Sequence, residues 1–191
     1  MSMLRAALIA AIGALAASVA GPAAAQSGYP QRFDFGTTPS PAELARFFAI
    51  PPDGTGLGPG KGSYAEGKKV YAESCAVCHG EKLEGIIQPE LRGDKLIGGR
   101  GTLTTAAAIK TVESYWPYAT TLFDFVKRAM PMTAPGSLSD DQVYAVVAYI
   151  LGEAKIIETS AVLDAQTLPR VEMPNRDGFI GDPRPEIELY R

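Results

Sequence analysis

Cys75-Ala76-Val77-Cys78-His79, followed by Gly80, is the stretch on which the reading of this chain turns. The 191 residues include two cysteines and one histidine, and all three fall within these five positions. On a helix, Cys75 and Cys78 stand at i and i+3, so both thiols face one side. His79 follows at once and brings an imidazole next to the same side.

Two thioether bonds to the vinyl groups of one porphyrin need that placement of sulfurs. An adjacent imidazole supplies the proximal ligand to iron. The pattern C-x-x-C-H therefore reads as the covalent attachment site of one c-type haem. Other readings explain fewer of the residues. Structural zinc takes four Cys, His or carboxylate ligands, and three are offered here. A thioredoxin-like redox pair needs a surrounding βαβ pattern, and none is present. A structural disulfide suits an exported protein but leaves His79 without a role.

With no second histidine, the other axial ligand must be a different donor, and methionine is the expected one. Met1 and Met3 belong to the N-terminal leader, which leaves Met130, Met132 and Met173. Pro131 disfavours helical geometry at Met130, so the chain leaves its helix there and a sulfur can turn toward iron. The competing reading is that Met130 and Met132 fill apolar gaps. Met173 sits in a proline-bearing tail and is the weaker candidate. Iron held by His79 and a methionine has no open position for substrate, which favours electron transfer. A haem enzyme or sensor with a dissociable methionine is the alternative from a different class. Arg100, Tyr115 and Trp116 carry the chemistry to meet haem propionates. The plainer reading makes Arg100 a solvated loop charge and Trp116 ordinary core.

The N-terminus reads as a targeting segment. Arg5 precedes an apolar stretch from Ala6 to Ala20, Gly21-Pro22 interrupts it, and Ala23-Ala24-Ala25 offers small residues for cleavage before Gln26. Residues 1–25 are expected to be a cleaved signal peptide and the mature chain to be periplasmic, with no membrane span after cleavage. Loss of Arg5 would make the formal charge one unit more negative than −3. Basic clusters of the kind that bind nucleic acid are missing.

Composition divides the rest. Residues 26–62 are rich in Gly and Pro and read as an irregular N-terminal arm, with one short helix from Pro41 to Phe48. Residues 63–152 carry the helical signals. Residues 153–191 read as an irregular C-terminal arm, with Pro169, Pro174, Pro183 and Pro185. Ser63 and Glu66 make a capping box for a first helix that leads into Cys75, with Val70 and Tyr71 on its apolar face. Gly67, one turn before Tyr71, would let a second helix approach closely. Residues 81–101 read as a loop, and a short helix is expected over residues 104–113. Another helix is expected over 119–129, with Leu122, Phe125, Val126 and Ala129 as its buried stripe and Lys127 and Arg128 at its C-terminal end. Ser139 and Gln142 make a second capping box. Val143, Val147, Ile150 and Leu151 then face inward, and Gly152 is placed to end the helix. With no alternating apolar–polar run, the core reads as all-α.

These residues resemble a class I cytochrome c domain. The likeness rests on Cys75-Ala76-Val77-Cys78-His79-Gly80, the downstream Met130-Pro131 and the final amphipathic helix. Pro89-Glu90-Leu91-Arg92-Gly93 resembles that family's Pro-x-Leu-x-Gly element. The resemblance implies that the Pro89 carbonyl accepts the Nδ1 proton of His79. Gly67 and Tyr71, with Tyr149, match the family's crossed terminal helices. A closer resemblance, to the cytochrome subunit of Sox-type sulfur dehydrogenases, covers most of the mature chain. It is carried by residues 98–103 and 110–124, by Arg128-Ala129-Met130-Pro131 and by residues 168–179. That resemblance implies Met130 as the ligand in preference to Met132. It also implies a molybdenum-cofactor sulfite or sulfur dehydrogenase as electron donor, with a downstream cytochrome or oxidase as acceptor. A general periplasmic shuttle serving another dehydrogenase or an oxidase is the competing expectation. Some such subunits carry two haem sites, whereas one is present here.

Overall fold

The structure is a computed structural model in which residues 36–38, 40 and 49–181 are described. The chain divides into two compact units, Met1–Ser40 and Pro41–Arg191, and every described helix and strand lies in the second. The expected signal peptide and the expected helix from Pro41 to Phe48 lie outside the described residues, as do Pro183 and Pro185.

The elements run in the order β1 (Lys61–Ser63), α1 (Tyr64–Ser74), α2 (Ala76–His79), β2 (Ile86–Ile87), β3 (Arg92–Gly93), α3 (Ala119–Ala129), α4 (Asp140–Glu153) and β4 (Val162–Asp164). A 3-10 turn follows at Leu168–Arg170. Both capping boxes form. Glu66 N donates to Ser63 Oγ at 3.4 Å while Ser63 N donates to Glu66 Oε2 at 2.9 Å. Gln142 N donates to Ser139 Oγ at 3.3 Å while Ser139 N donates to Gln142 Oε1 at 2.9 Å. Each box satisfies two N–H groups that the first turn would otherwise leave unpaired.

Helix α4 is the centre of the core, with every residue from Val143 to Gly152 buried. Helix α1 packs across it at Gly67. A Cβ there would stand 1.8 Å from the Ala145 carbonyl oxygen, so only glycine permits the approach. The rings of Tyr64 and Tyr71 flank Tyr149, with centroids 5.2 and 5.1 Å away. Helix α3 joins from the other side, where Phe123 meets Tyr144 at 4.5 Å between centroids.

Several expectations need correction. Two short antiparallel pairs accompany the helices. One is β1 with β4, in the register Lys61↔Asp164, and the other is β2 with β3 inside the segment expected to be a loop. No helix forms over residues 104–113, because hydroxyl side chains take the backbone groups that a helix would use. Ile109 N donates to Thr102 Oγ1, Thr111 N to Ser114 Oγ, and Ser114 Oγ to the Ile109 carbonyl. On α3, Phe125 is 44% exposed whereas Phe123 is buried, so the stripe includes Phe123 in place of Phe125. Gly152 does not end α4, which continues to Glu153. Its missing side chain instead admits Tyr64, whose Cδ2 would lie 2.7 Å from a Cβ. Beyond α4, Leu163, Leu168 and Met173 are buried in the main core. At about 1.5–3 kcal/mol per buried side chain, this C-terminal segment stabilises the helical domain it crosses.

Candidate haem centre

Helix α1 delivers the chain to the motif and ends at Cys75, where φ −124° and ψ −38° break the helical run. One further turn, α2, carries Cys78 and His79. Cys78 N donates to the Cys75 carbonyl at 3.1 Å and His79 N to the same oxygen at 2.9 Å. The i, i+3 relation of the two cysteines therefore survives the break. Gly80 ends the turn at φ +79°, and the Tyr71 hydroxyl donates to its carbonyl at 2.7 Å inside the core. The exit of the motif is thus fixed to the helix that enters it.

Both cysteines are free thiols and half-buried, so the disulfide reading is not realised. Burial, and then the neighbouring Cys78, push the Cys75 thiol up to about 11. The β2–β3 hairpin packs on the back of the turn. A Cβ on Gly93 would stand 2.2 Å from the Cys78 carbonyl oxygen, so glycine is required for the contact.

That contact decides what orients His79. Its Nδ1 lies 2.7 Å from the carbonyl of Asp94, the residue after Gly93. The expected acceptor, Pro89, is exposed on the β2–β3 connection. The acceptor is therefore Asp94, because the close approach of Gly93 to Cys78 brings the following peptide, not the hairpin tip, up to the imidazole. With Nδ1 bonded to a carbonyl, Nε2 is the nitrogen left to ligate a metal.

Met130 caps the C-terminus of α3. Its N–H donates to the Val126 carbonyl at 3.1 Å, and its backbone is extended at φ −118° and ψ 149°. The chain leaves the helix here, as Pro131 requires, through a cis Met130–Pro131 bond. Met130 is half-buried against the core, Met132 is 67% exposed, and Met173 is buried at 3% exposure.

The candidates for propionate contact have other partners. Arg100 pairs through Nε with Glu113 at 2.6 Å and donates from Nη2 to the Ala154 carbonyl at 2.6 Å. It is not a free loop charge. Tyr115 stacks edge-on to Phe179 at 5.2 Å, beneath the Lys110 ammonium. Trp116 meets Phe125 edge-on at 5.6 Å.

Cys75, Ala76, Leu96, Ile97, Trp116 and Met130 are all only partly covered where they join the core. Phe125 keeps 44% of its surface open. Two thiols at i and i+3 and one imidazole nitrogen left to ligate, on one short turn, fit a macrocycle bound through sulfur and nitrogen. Among the described residues no cluster of three or more His, Cys, Asp or Glu could hold a metal ion alone. Sequence reasoning missed Asp94. It acts through its backbone, which leaves no side-chain signature.

The fold and the site define a helical domain that carries haem on a Cys-x-x-Cys-His turn. The cytochrome c family model matches residues 64–153. A chain of the crystal structure of the sulfane dehydrogenase SoxCD from Paracoccus pantotrophus is 36% identical, with a TM-score of 0.70. That match covers 83% of this chain and 77% of the other. The chain belongs to the cytochrome c family, of the class I type with a Sox-like cytochrome sequence. Membership implies covalently bound haem c. Thiosulfate dehydrogenase of Stutzerimonas stutzeri is 37% identical over 95 residues, covering 45% of this chain and 26% of that protein. The thiosulfate dehydrogenase of Psychrobacter arcticus is 33% identical over 91 residues, covering 44% of this chain and 24% of that protein. The chain thus spans about a quarter of the length of these two relatives. No helix among the described residues is long and apolar enough to cross a membrane.

Proposed function

We propose that this chain is a periplasmic monohaem cytochrome that takes electrons from a molybdenum-cofactor sulfite or sulfur dehydrogenase and passes them to the respiratory chain. The observation that carries the reading is the 36% identity to a SoxCD chain over 83% of this chain, which extends well beyond the haem domain. The molybdenum partner rests on the Sox-type resemblance of residues 98–103, 110–124 and 168–179. Export rests on the leader-like residues 1–25. A single haem rests on the single Cys-x-x-Cys-His motif. The arms before residue 63 and after residue 152 flank one haem domain.

When bound, haem c supplies a one-electron couple. Cys75 and Cys78 would hold its porphyrin through thioether bonds. His79 would ligate through Nε2, oriented by the Asp94 carbonyl, and that bond would make the imidazole a stronger donor. Met130 would supply a second, thioether ligand, which favours the reduced state. Half-buried Leu96, Ile97, Trp116 and Met130 would offer the group apolar cover. Tyr115 and Trp116 are the residues suited to propionate contact, while Arg100 serves to tie its loop to the end of α4.

The test mixes ferric holoprotein with the dehydrogenase and sulfite or thiosulfate while haem absorbance is followed. Reduction that needs both the partner and the sulfur compound is expected. Reduction by thiosulfate alone would instead make this chain itself the site of thiosulfate oxidation, the activity for which its two relatives are named. No reduction in the complete mixture would leave a general shuttle.

A further inference from the structure

We propose that Lys127 is a positioning residue for the sixth haem ligand: its ammonium clamps together the two ends of the loop that begins with Met130. The proposal rests on the reading of Met130 as that ligand. Lys127 lies in the last turn of α3. Its Nζ donates to the Leu138 carbonyl at 2.9 Å and meets Asp140 Oδ1 at 2.7 Å. Both partners lie across the loop, at its far end and at the first residue of α4. The cation at the C-terminus of α3 and the anion at the N-terminus of α4 each suit their helix dipole, so neither is strained to make the pair. The two side chains are 34% and 27% exposed, which shields the pair in part from solvent and salt.

The loop has little else to hold its shape. Residues 132–137 are exposed. Its interior bonds are two turn contacts, Ala134 N to the Pro131 carbonyl at 2.9 Å and Ser137 N to the Ala134 carbonyl at 3.3 Å. The conformation is therefore set at its ends. Met130 is tied to α3 at one end, and Leu138, 7% exposed, is seated in the core at the other. Lys127 closes the span between them and limits how far the Met130 sulfur strays from one position. Without the clamp the thioether loses pre-organisation and a competing ligand gains.

Titration of ferric holoprotein with imidazole tests the clamp, with the thioether-to-iron charge-transfer band followed in parallel. Loss of one hydrogen bond and one ion pair to a charged group predicts about a tenfold rise in imidazole affinity for Lys127→Met. Asp140→Asn keeps the bond to Leu138 and should show about a threefold rise. Lys127→Arg can reach both partners and should restore wild-type affinity. Wild-type imidazole affinity in Lys127→Met overturns the clamp. If Lys127→Met does not fold, wild-type affinity in Asp140→Asn overturns it. Met130→Ala separates the two levels. If that variant keeps the thioether band, the ligand reading falls and the clamp with it. If the band is lost while Lys127→Met titrates as wild type, the clamp alone falls.

Discussion

His79 offers two ring nitrogens, and the fold commits one of them to a backbone carbonyl. The 2.7 Å contact from Nδ1 to the Asp94 carbonyl fixes the ring and leaves Nε2 for iron. Because Pro89 stands apart from this bond, Pro89→Ala should leave the spectrum and reduction potential of the holoprotein at their wild-type values. A shift in potential with an unchanged fold would return the acceptor role to Pro89. The methionines divide in the same way. Met132, 67% exposed, should be replaceable by alanine with no change in the ferric spectrum, whereas Met130→Ala should lose the thioether band. The motif residues were legible because their chemistry is written in five consecutive letters. Asp94 was not, since any residue brings a carbonyl and only the packing of Gly93 against Cys78 selects this one.

Helix α1 meets α4 through a contact that one atom would abolish. A methyl group at Gly67 would overlap the Ala145 carbonyl, at 1.8 Å, and backbone cannot yield as a flexible side chain can. Gly67→Ala should therefore destabilise the protein by about 2–3 kcal/mol, outweighing the gain of up to ~1 kcal/mol in helix propensity. Urea unfolding of the two holoproteins measures it, and a stabilised variant would refute the packing argument. Ser63→Ala, at the start of the same helix, should cost about 1 kcal/mol through loss of its capping bond. Helices with such local signals, α3 and α4 as well as α1, were legible in the sequence because capping boxes and i, i+4 stripes are short-range. The expected helix at 104–113 failed for an equally local reason. Thr102, Thr111 and Ser114 hydroxyls compete for the backbone, and apolar periodicity does not register that competition. The β1–β4 pair was invisible because Lys61 and Asp164 pair across the whole helical segment between them, and no local pattern records so distant a contact.

Across the whole molecule, tyrosine hydroxyls tie segments that the helices alone would leave separate. Tyr71 donates to the Gly80 carbonyl at the motif exit, Tyr144 to the Gly58 carbonyl in the N-terminal segment at 2.9 Å, and Tyr64 to Glu153 at the end of α4. Each bond requires the protonated phenol. The bond to Glu153 pushes Tyr64 up to about 12, and burial pushes Tyr144 up to about 12. Burial raises Tyr71 and Tyr149 as well. Above pH 10 the unfolded chain releases phenolic protons that the native state retains, so stability falls as pH rises. The contribution of these groups is fully present below about pH 10 and is lost from there through about 12, beyond which Tyr64 and Tyr144 titrate in both states. Unfolding midpoints in urea, read by far-ultraviolet circular dichroism, should be level up to about pH 9.5 and then decline. The decline should be shallower in Tyr144→Phe, which removes one phenol from the proton count while lowering stability at neutral pH through loss of the bond to Gly58. Native tyrosinate absorbance developing near pH 10 with no change in unfolding midpoint would show that these phenols ionise without cost to the fold. The segment around Gly58 and the haem-bearing turn would then rest on apolar packing and on bonds that do not titrate in this range, such as that from Lys61 N to Asp141 Oδ1 at 2.7 Å.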